Sequence, residues 1–147
     1  MSSVEHKNKA PKSLNYAIIT ISDSCYNGVA EDRSGKYILE KLSENNHVAK
    51  KIVVPDEEDK IKTAIYDSLE GIDCIVTTGG TGITKRDVTI QTIKKIITKE
   101  IVGFGEIFRY LSYKEIGFPA IISGAICGTI DDKIIFCLPG SLNAVKL

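Results

Sequence analysis

From residue 15 onward, short apolar runs alternate with stretches whose apolar positions recur every three or four residues. NYAIITIS at 15–22 is a continuous run rich in β-branched residues, the pattern of a strand buried on both faces. The segment 32–46 sets Tyr37, Ile38, Leu39 and Leu42 at helical spacing. HVAKKIVV at 47–54 then predicts a second strand, ended by Pro55. Ile61, Ala64, Ile65 and Leu69 form the apolar stripe of another helix, and Asp56 with Asp59 resembles its start signal. IDCIVTT at 72–78 predicts a third buried strand. Ile90, Ile93 and Ile97 follow on one helical face, with Thr89 as the expected N-cap. A further helix carries Phe104, Ile107, Phe108 and Leu111. FPAIISGAIC (118–127) and KIIFCL (133–138) predict an antiparallel strand pair turning at Asp131-Asp132. SLNAVKL begins one more helix. The β-α-β-α-β order indicates one α/β domain, residues 14–147, on a mostly parallel sheet, preceded by a flexible tail at 1–13.

Composition narrows the function. Among 147 residues, 19 basic side chains balance 19 acidic ones, which argues against nucleic acid or an anionic membrane surface as partner. Nothing approaches the roughly eighteen consecutive apolar residues of a membrane span, and the polar N-terminus is not a secretory signal. Cys25, Cys74, Cys127 and Cys137 form no C-x-x-C pair. They read as free thiols, mostly buried, in a reducing cytoplasm. The two histidines are His6, in the tail, and His47, at the amino end of a strand. Histidine-dependent triads and a three-histidine zinc site are therefore excluded.

In an open α/β sheet, ligands sit at the carboxyl ends of the parallel strands. Three such ends carry polar residues: Ser22-Asp23-Ser24, Pro55-Asp56, and the cluster Thr77-Thr78-Gly79-Gly80-Thr81-Gly82. Glycine N–H groups can turn toward a phosphate and approach it closely, and Thr78, Thr81 and Thr84 add hydroxyls. The cluster is neither a Walker loop nor a dinucleotide fingerprint, and alone it could be a mere turn. Lys85 and Arg86 behind it also attract anions. Asp87 would repel a phosphate unless a divalent cation intervened, and carboxylates with phosphate oxygens are what Mg²⁺ prefers. Asp56 supplies a second carboxylate; each could instead be a cap or a loop charge.

The motifs ITISDS at 19–24, D-R-S-G at 32–35, V-P-D at 54–56, TTGGTGITKRDVT at 77–89, G-F-G-E at 103–106 and L-P-G-S at 138–141 occur in this order. Together they closely resemble the MoaB/MogA family of molybdenum-cofactor biosynthesis proteins. The resemblance implies a three-layer α/β/α fold with a small antiparallel part, assembled as trimers that some members pair into hexamers. It implies binding of molybdopterin and, in MogA-like members, transfer of AMP from Mg-ATP to its terminal phosphate with release of pyrophosphate. The matching motifs carry the catalytic, Mg²⁺-holding aspartates to Asp56 and Asp87. They carry pterin and phosphate binding to Thr78, Gly79, Gly80, Thr81, Gly82 and Ser123, with Ser22, Asp23 and Ser24 along the neighbouring wall. Pro139, Gly140 and Ser141 would close the nucleotide side.

Arg86 is the arginine best placed to face phosphate; Arg33 and Arg109 read equally as structural or intersubunit ion pairs. Two positions depart from the family pattern: Gly124 stands where an arginine is common, and Leu142 where a second proline is usual. A final helix cut at Leu147 would leave an apolar groove. A molybdopterin-binding protein without transferase activity is the alternative reading, since a fold does not guarantee an activity. A non-catalytic oligomeric scaffold is a remote third.

Overall fold

The structure is a computed structural model describing all 147 residues. In chain order its elements are α1 (Ser3–Lys9), β1 (Asn15–Ile21), α2 (Asp23–Tyr26), α3 (Arg33–Ser43), β2 (His47–Val54), α4 (Glu58–Tyr66), β3 (Cys74–Thr78), α5 (Thr89–Ile96), β4 (Lys99–Glu100), α6 (Val102–Ile116), a 3₁₀ turn (Phe118–Ile122), β5 (Ile126–Ile130), β6 (Lys133–Leu138) and α7 (Leu142–Lys146). The strands form one sheet in the order β2-β1-β3-β6-β5-β4. β2, β1, β3 and β6 are parallel, while β5 and β4 join antiparallel at one side. The fold is thus α/β with a mostly parallel sheet and a small antiparallel part.

Helices cover both faces, as the apolar central strands require. On one face Ile61, Ala64 and Ile65 of α4 and Ile93 of α5 pack with Ile19, Ile21, Ile75 and Ile135 of the sheet. On the other, Ile38, Leu39 and Leu42 of α3 and Val145 of α7 meet Ile18, Val76, Phe136 and Leu138. Phe104 of α6 stacks near Phe136 on that same face, with ring centroids 5.4 Å apart. An apolar groove of about 500 Å³ lies between α3, α6 and α7, lined by Tyr37, Phe104, Phe108, Phe136, Val145 and Leu147 among others. No helix is long and apolar enough to cross a membrane.

Four expectations change. The segment 118–127 is not one strand: Phe118–Ile122 is a 3₁₀ turn and the strand starts at Ile126. Pro119 lacks the N–H that a strand there would donate, and Ile121 and Ile122 face solvent. Within the tail, Ser3–Lys9 is a solvated helix, closed by a Ser2–Glu5 capping box and burying nothing. Thr89 does not cap α5; Val88 stands at the cap position without a side-chain bond. Asp56 does not start α4, whose cap position is Glu57. Both displaced side chains have partners at the strand ends instead.

Candidate active site

Because β2, β1, β3 and β6 are parallel and in register, their carboxyl ends lie side by side. Ile21 is level with Val54, Thr20 with Thr78, and Thr78 with Leu138. The loops are stitched across this edge: Ser22 N–H donates to Val54 O at 3.0 Å and Gly79 N–H to Leu138 O at 3.0 Å. Above it is a polar cavity of about 370 Å³ whose lining includes Ser22, Asp56, Thr78, Gly79, Gly80, Asp87 and Gly140. Those seven are site residues expected from the sequence. His47 lies at the opposite end of its strand.

The glycine loop needs its glycines. Gly79 and Gly80 have φ of 103° and 66°, a region that side chains rarely adopt. A Cβ on Gly80 would collide with Thr89 Oγ1 and stand 2.8 Å from Asp56 Oδ1. Thr89, fully buried, explains why it is not a cap: its hydroxyl donates to Gly79 O at 2.9 Å and its N–H to Gly80 O at 3.0 Å. With both carbonyls held from behind, the N–H groups of Gly80, Thr81 and Gly82 donate to no backbone acceptor. Open donors at successive residues are what an anion needs.

Asp56 is held by a reciprocal pair. Its Oδ2 accepts from Asp23 N–H at 2.8 Å, and its own N–H donates to Asp23 Oδ1 at 3.0 Å. Asp23 Oδ2 accepts from the Arg86 guanidinium, through Nε at 3.0 Å and through Nη2. That guanidinium, with the Asp56 N–H, lowers the Asp23 carboxyl from its usual range. Asp56 moves the other way: burial raises it, and the nearby charges of Asp23 and Asp87 add to the push against the Asp23 N–H. Asp87 turns Oδ2 to the N–H and hydroxyl of Thr84, at 3.0 and 2.6 Å. Neither Asp56 nor Asp87 forms an ion pair. Two carboxylates near a cavity, with no cation of their own, are arranged for a positively charged ligand.

Other sequence candidates stand behind or beside this space. Asp23 and Arg86 do not line it, being bound to each other. Ser24 Oγ lies 3.1 Å from Ser22 Oγ. Thr81 is buried, and Gly82 backs onto Asp87. Pro139 presents its carbonyl to the Thr78 hydroxyl at 2.9 Å, and Ser141 caps α7 through Ala144 N–H. Ser123 lies 3.4 Å from Ser112 Oγ, outside the cavity lining, while the adjoining Gly124 packs on the Thr81 carbonyl. Leu142, at the departure from the family pattern, is itself a lining residue.

Sequence reasoning underused one wall. Glu31, Asp32, Arg33 and Ser34, at the start of α3, also line the cavity. Asp32 caps α3 through Gly35 N–H and accepts from Thr20 Oγ1 and Lys51 Nζ, at 2.8, 2.8 and 2.7 Å. The Ser34 hydroxyl donates to Gly140 O at 2.8 Å, joining α3 to the loop after β6. An Asp three residues before a Gly, opening a helical stripe, was the available signal.

A family model described as "Probable molybdopterin binding domain" matches residues 17–147. The chain belongs to this family. It is 45% identical over 148 residues to the molybdopterin adenylyltransferase of Pyrococcus furiosus, covering 97% of this chain and 86% of that one. It is 46% identical over 151 residues to molybdenum cofactor biosynthesis protein B of Bacillus cereus, covering 100% and 88%. The crystal structure of the tungsten cofactor synthesizing protein MoaB from Pyrococcus furiosus superposes with a TM-score of 0.89 at 42% identity, covering 93% of this chain and 88% of that one. These molybdopterin-family relatives match over the whole α/β body, including the strand ends that build the cavity.

Proposed function

We propose that the chain transfers AMP from Mg-ATP to the terminal phosphate of molybdopterin, releasing pyrophosphate, as a step of molybdenum-cofactor biosynthesis. The observation that carries this reading is the cavity at the strand ends, where two unpaired carboxylates meet the open N–H donors of a glycine loop in a chain of this family. The substrate phosphate is already ionised near neutral pH, so the transfer needs no histidine base. Its oxygen attacks the α-phosphorus, and the α–β bridging bond breaks with its electrons going to pyrophosphate. What the protein contributes is positioning and charge compensation.

The donor set fits Mg²⁺. No trio of His, Cys, Asp or Glu side chains converges here, and of the four carboxylates lining the cavity only Asp56 and Asp87 are without a cation. Mg²⁺ commonly takes one or two carboxylates together with substrate phosphate oxygens and water. Asp56 and Asp87 would hold it through their Oδ1 atoms, and when bound it neutralises triphosphate charge. The Asp23–Asp56 pair fixes which Asp56 oxygen is free. Gly80, Thr81 and Gly82 N–H groups cradle a phosphate, and Ser22, Thr78 and Gly140 shape the walls.

The active species is a homo-oligomer, a trimer or a pair of trimers. Supporting this, α6 and the following turn expose six large apolar or aromatic side chains, Ile107, Tyr110, Tyr113, Ile116, Phe118 and Ile121. We assign the reaction to the cytoplasm, where the four unpaired cysteines would stay reduced.

AMP transfer by purified protein with Mg-ATP and molybdopterin tests the reading. Asp87→Asn should lose about 10²-fold or more in turnover while remaining folded. Near-wild-type turnover would remove the metal role. Molybdopterin binding by the wild-type protein with no adenylylated product would favour a binding protein of the same pathway.

A further inference from the structure

We propose that Arg33, rather than Arg86, is the guanidinium that binds the nucleotide's polyphosphate, holding the leaving pyrophosphate. This rests on the AMP-transfer reading above.

The charges around the cavity do not cancel in place. Glu31, Asp32, Asp56 and Asp87 contribute four carboxylates, and Arg33 is the only lysine, arginine or histidine that lines it beside them. Glu31 is paired with Lys36 and Asp32 with Lys51. Asp56 and Asp87 have no cation within ion-pair distance, and Arg33 has no carboxylate. The unpaired groups enter from different faces of the sheet. Asp56 and Asp87 lie in the loops leading to α4 and α5, and Arg33 opens α3 on the other face. A ligand that satisfies both walls carries a cation for the carboxylates and anionic oxygens for the guanidinium. A divalent-metal chelate of a polyphosphate has that chemistry.

Arg86 is committed elsewhere. Its guanidinium is bound to Asp23, which in turn fixes Asp56 through two backbone–side-chain hydrogen bonds. Arg86 is thereby a positioning residue, acting on the site through Asp23. Arg33 lines the cavity while remaining exposed to solvent, and its planar fork can take two phosphate oxygens at once. As the α–β bond of ATP breaks, negative charge accumulates on the departing pyrophosphate, and that is the charge Arg33 meets.

The experiment compares wild type, Arg33→Ala, Arg33→Lys and Arg86→Gln in two assays. One is calorimetric binding of Mg-pyrophosphate, and the other is steady-state AMP transfer to molybdopterin. Arg33 is exposed and makes no side-chain bond, so its variants should fold. Arg33→Ala should weaken Mg-pyrophosphate binding by about tenfold or more and lower kcat by about 10²-fold, with molybdopterin affinity unchanged. Arg33→Lys should regain part of the binding but little of kcat, and millimolar guanidinium should partly rescue Arg33→Ala. At saturating Mg²⁺, Arg86→Gln should keep pyrophosphate affinity, and its kcat loss should be recovered in part by raising Mg²⁺, whereas that of Arg33→Ala should not. The proposal is overturned if Arg33→Ala binds Mg-pyrophosphate within twofold of wild type, or if Arg86→Gln is the variant that loses it. If wild type transfers no AMP, the AMP-transfer reading fails, and the pyrophosphate comparison still decides the role of Arg33.

Discussion

Asp32→Ala should be the most destabilising single change at the cavity wall. It deletes the acceptor for Gly35 N–H, Thr20 Oγ1 and Lys51 Nζ together. The Asp32 and Lys51 side chains are only 10% and 22% exposed, so water can replace little of what is lost. Loss of the cap costs about 1 kcal/mol. Stranding a half-buried ammonium and a hydroxyl adds about 2 kcal/mol. For a chain of 147 residues the unfolding entropy near the midpoint is about 0.3 kcal/mol/K, so a loss of about 3 kcal/mol lowers Tm by about 10 °C. Asp32→Asn can keep the cap through Oδ1 but sets an amide NH2 against the Thr20 hydroxyl and Lys51 ammonium that donate to Oδ2, so it should recover only the cap's share of about 1 kcal/mol.

The pH dependence has a definite sign. Burial alone would raise the Asp32 carboxyl, but Lys51, Thr20 and the Gly35 N–H outweigh it and hold it below its usual range. Its stabilisation is therefore complete above the unfolded-state value near 4 and fades as pH falls through the lower folded-state value. Urea melts at one fixed protein concentration measure both effects, with m compared between variants. A difference between wild type and Asp32→Ala below about 0.5 kcal/mol at pH 7 would refute the reasoning. So would a wild-type-to-Asp32→Asn difference that stays constant down to about pH 3.

Gly80→Ala should abolish AMP transfer and cost about 2 kcal/mol or more in a urea melt, because its φ of 66° and the Thr89 and Asp56 oxygens both reject a Cβ. Asp23→Ala should leave molybdopterin binding intact while raising the Mg²⁺ concentration for half-maximal turnover, since Asp56 loses its partner; an unchanged Mg²⁺ requirement would count against the reciprocal pair. Thiol titration of the native protein at pH 8 should label Cys25 first, because burial pushes the Cys127 and Cys137 thiols up to about 11 and about 12 and Cys74 is also raised. Phe118→Asp with Ile121→Asp should shift sedimentation toward the monomer, while a single change of either should do so only in part.

The sheet was legible because its central strands Asn15–Ile21 and Cys74–Thr78 are nearly pure apolar runs, largely buried, while the half-buried edge strand His47–Val54 alternates before its apolar end. Their shared carboxyl edge follows from parallel pairing, so Ser22, Asp56 and Gly79 could be brought together without a structure. The segment 118–127 misled because exposed apolar residues in a turn look like buried ones in a strand. Side-chain partners were less legible still. Asp56 and Thr89 stand at helix starts, where a cap is the local expectation, yet Asp56 bonds to Asp23 on another loop and Thr89 reaches ten positions back to the Gly79 carbonyl. A one-dimensional pattern carries no information about which neighbouring loop claims a carboxylate. The Arg86 partner was equally illegible, since the Asp23 that it binds is 63 positions away in the chain.

Gly124 is a second position whose role depends on a loop distant in the chain. Read from sequence, the glycine is a missing arginine; in the fold, its Cα lies against the Thr81 carbonyl, and any Cβ there would collide with that oxygen. Thr81 belongs to the loop whose N–H groups stand open, so a side chain at 124 would have to displace the loop proposed to receive a phosphate. The close approach leaves no room for a side chain at 124, and so no guanidinium on that side. The positive charge that a polyphosphate needs must then come from another wall. Arg86 is held by Asp23, and Arg109 curls back on its own helix beside Gly105. Of the three arginines, only Arg33 both lines the cavity and is unpaired.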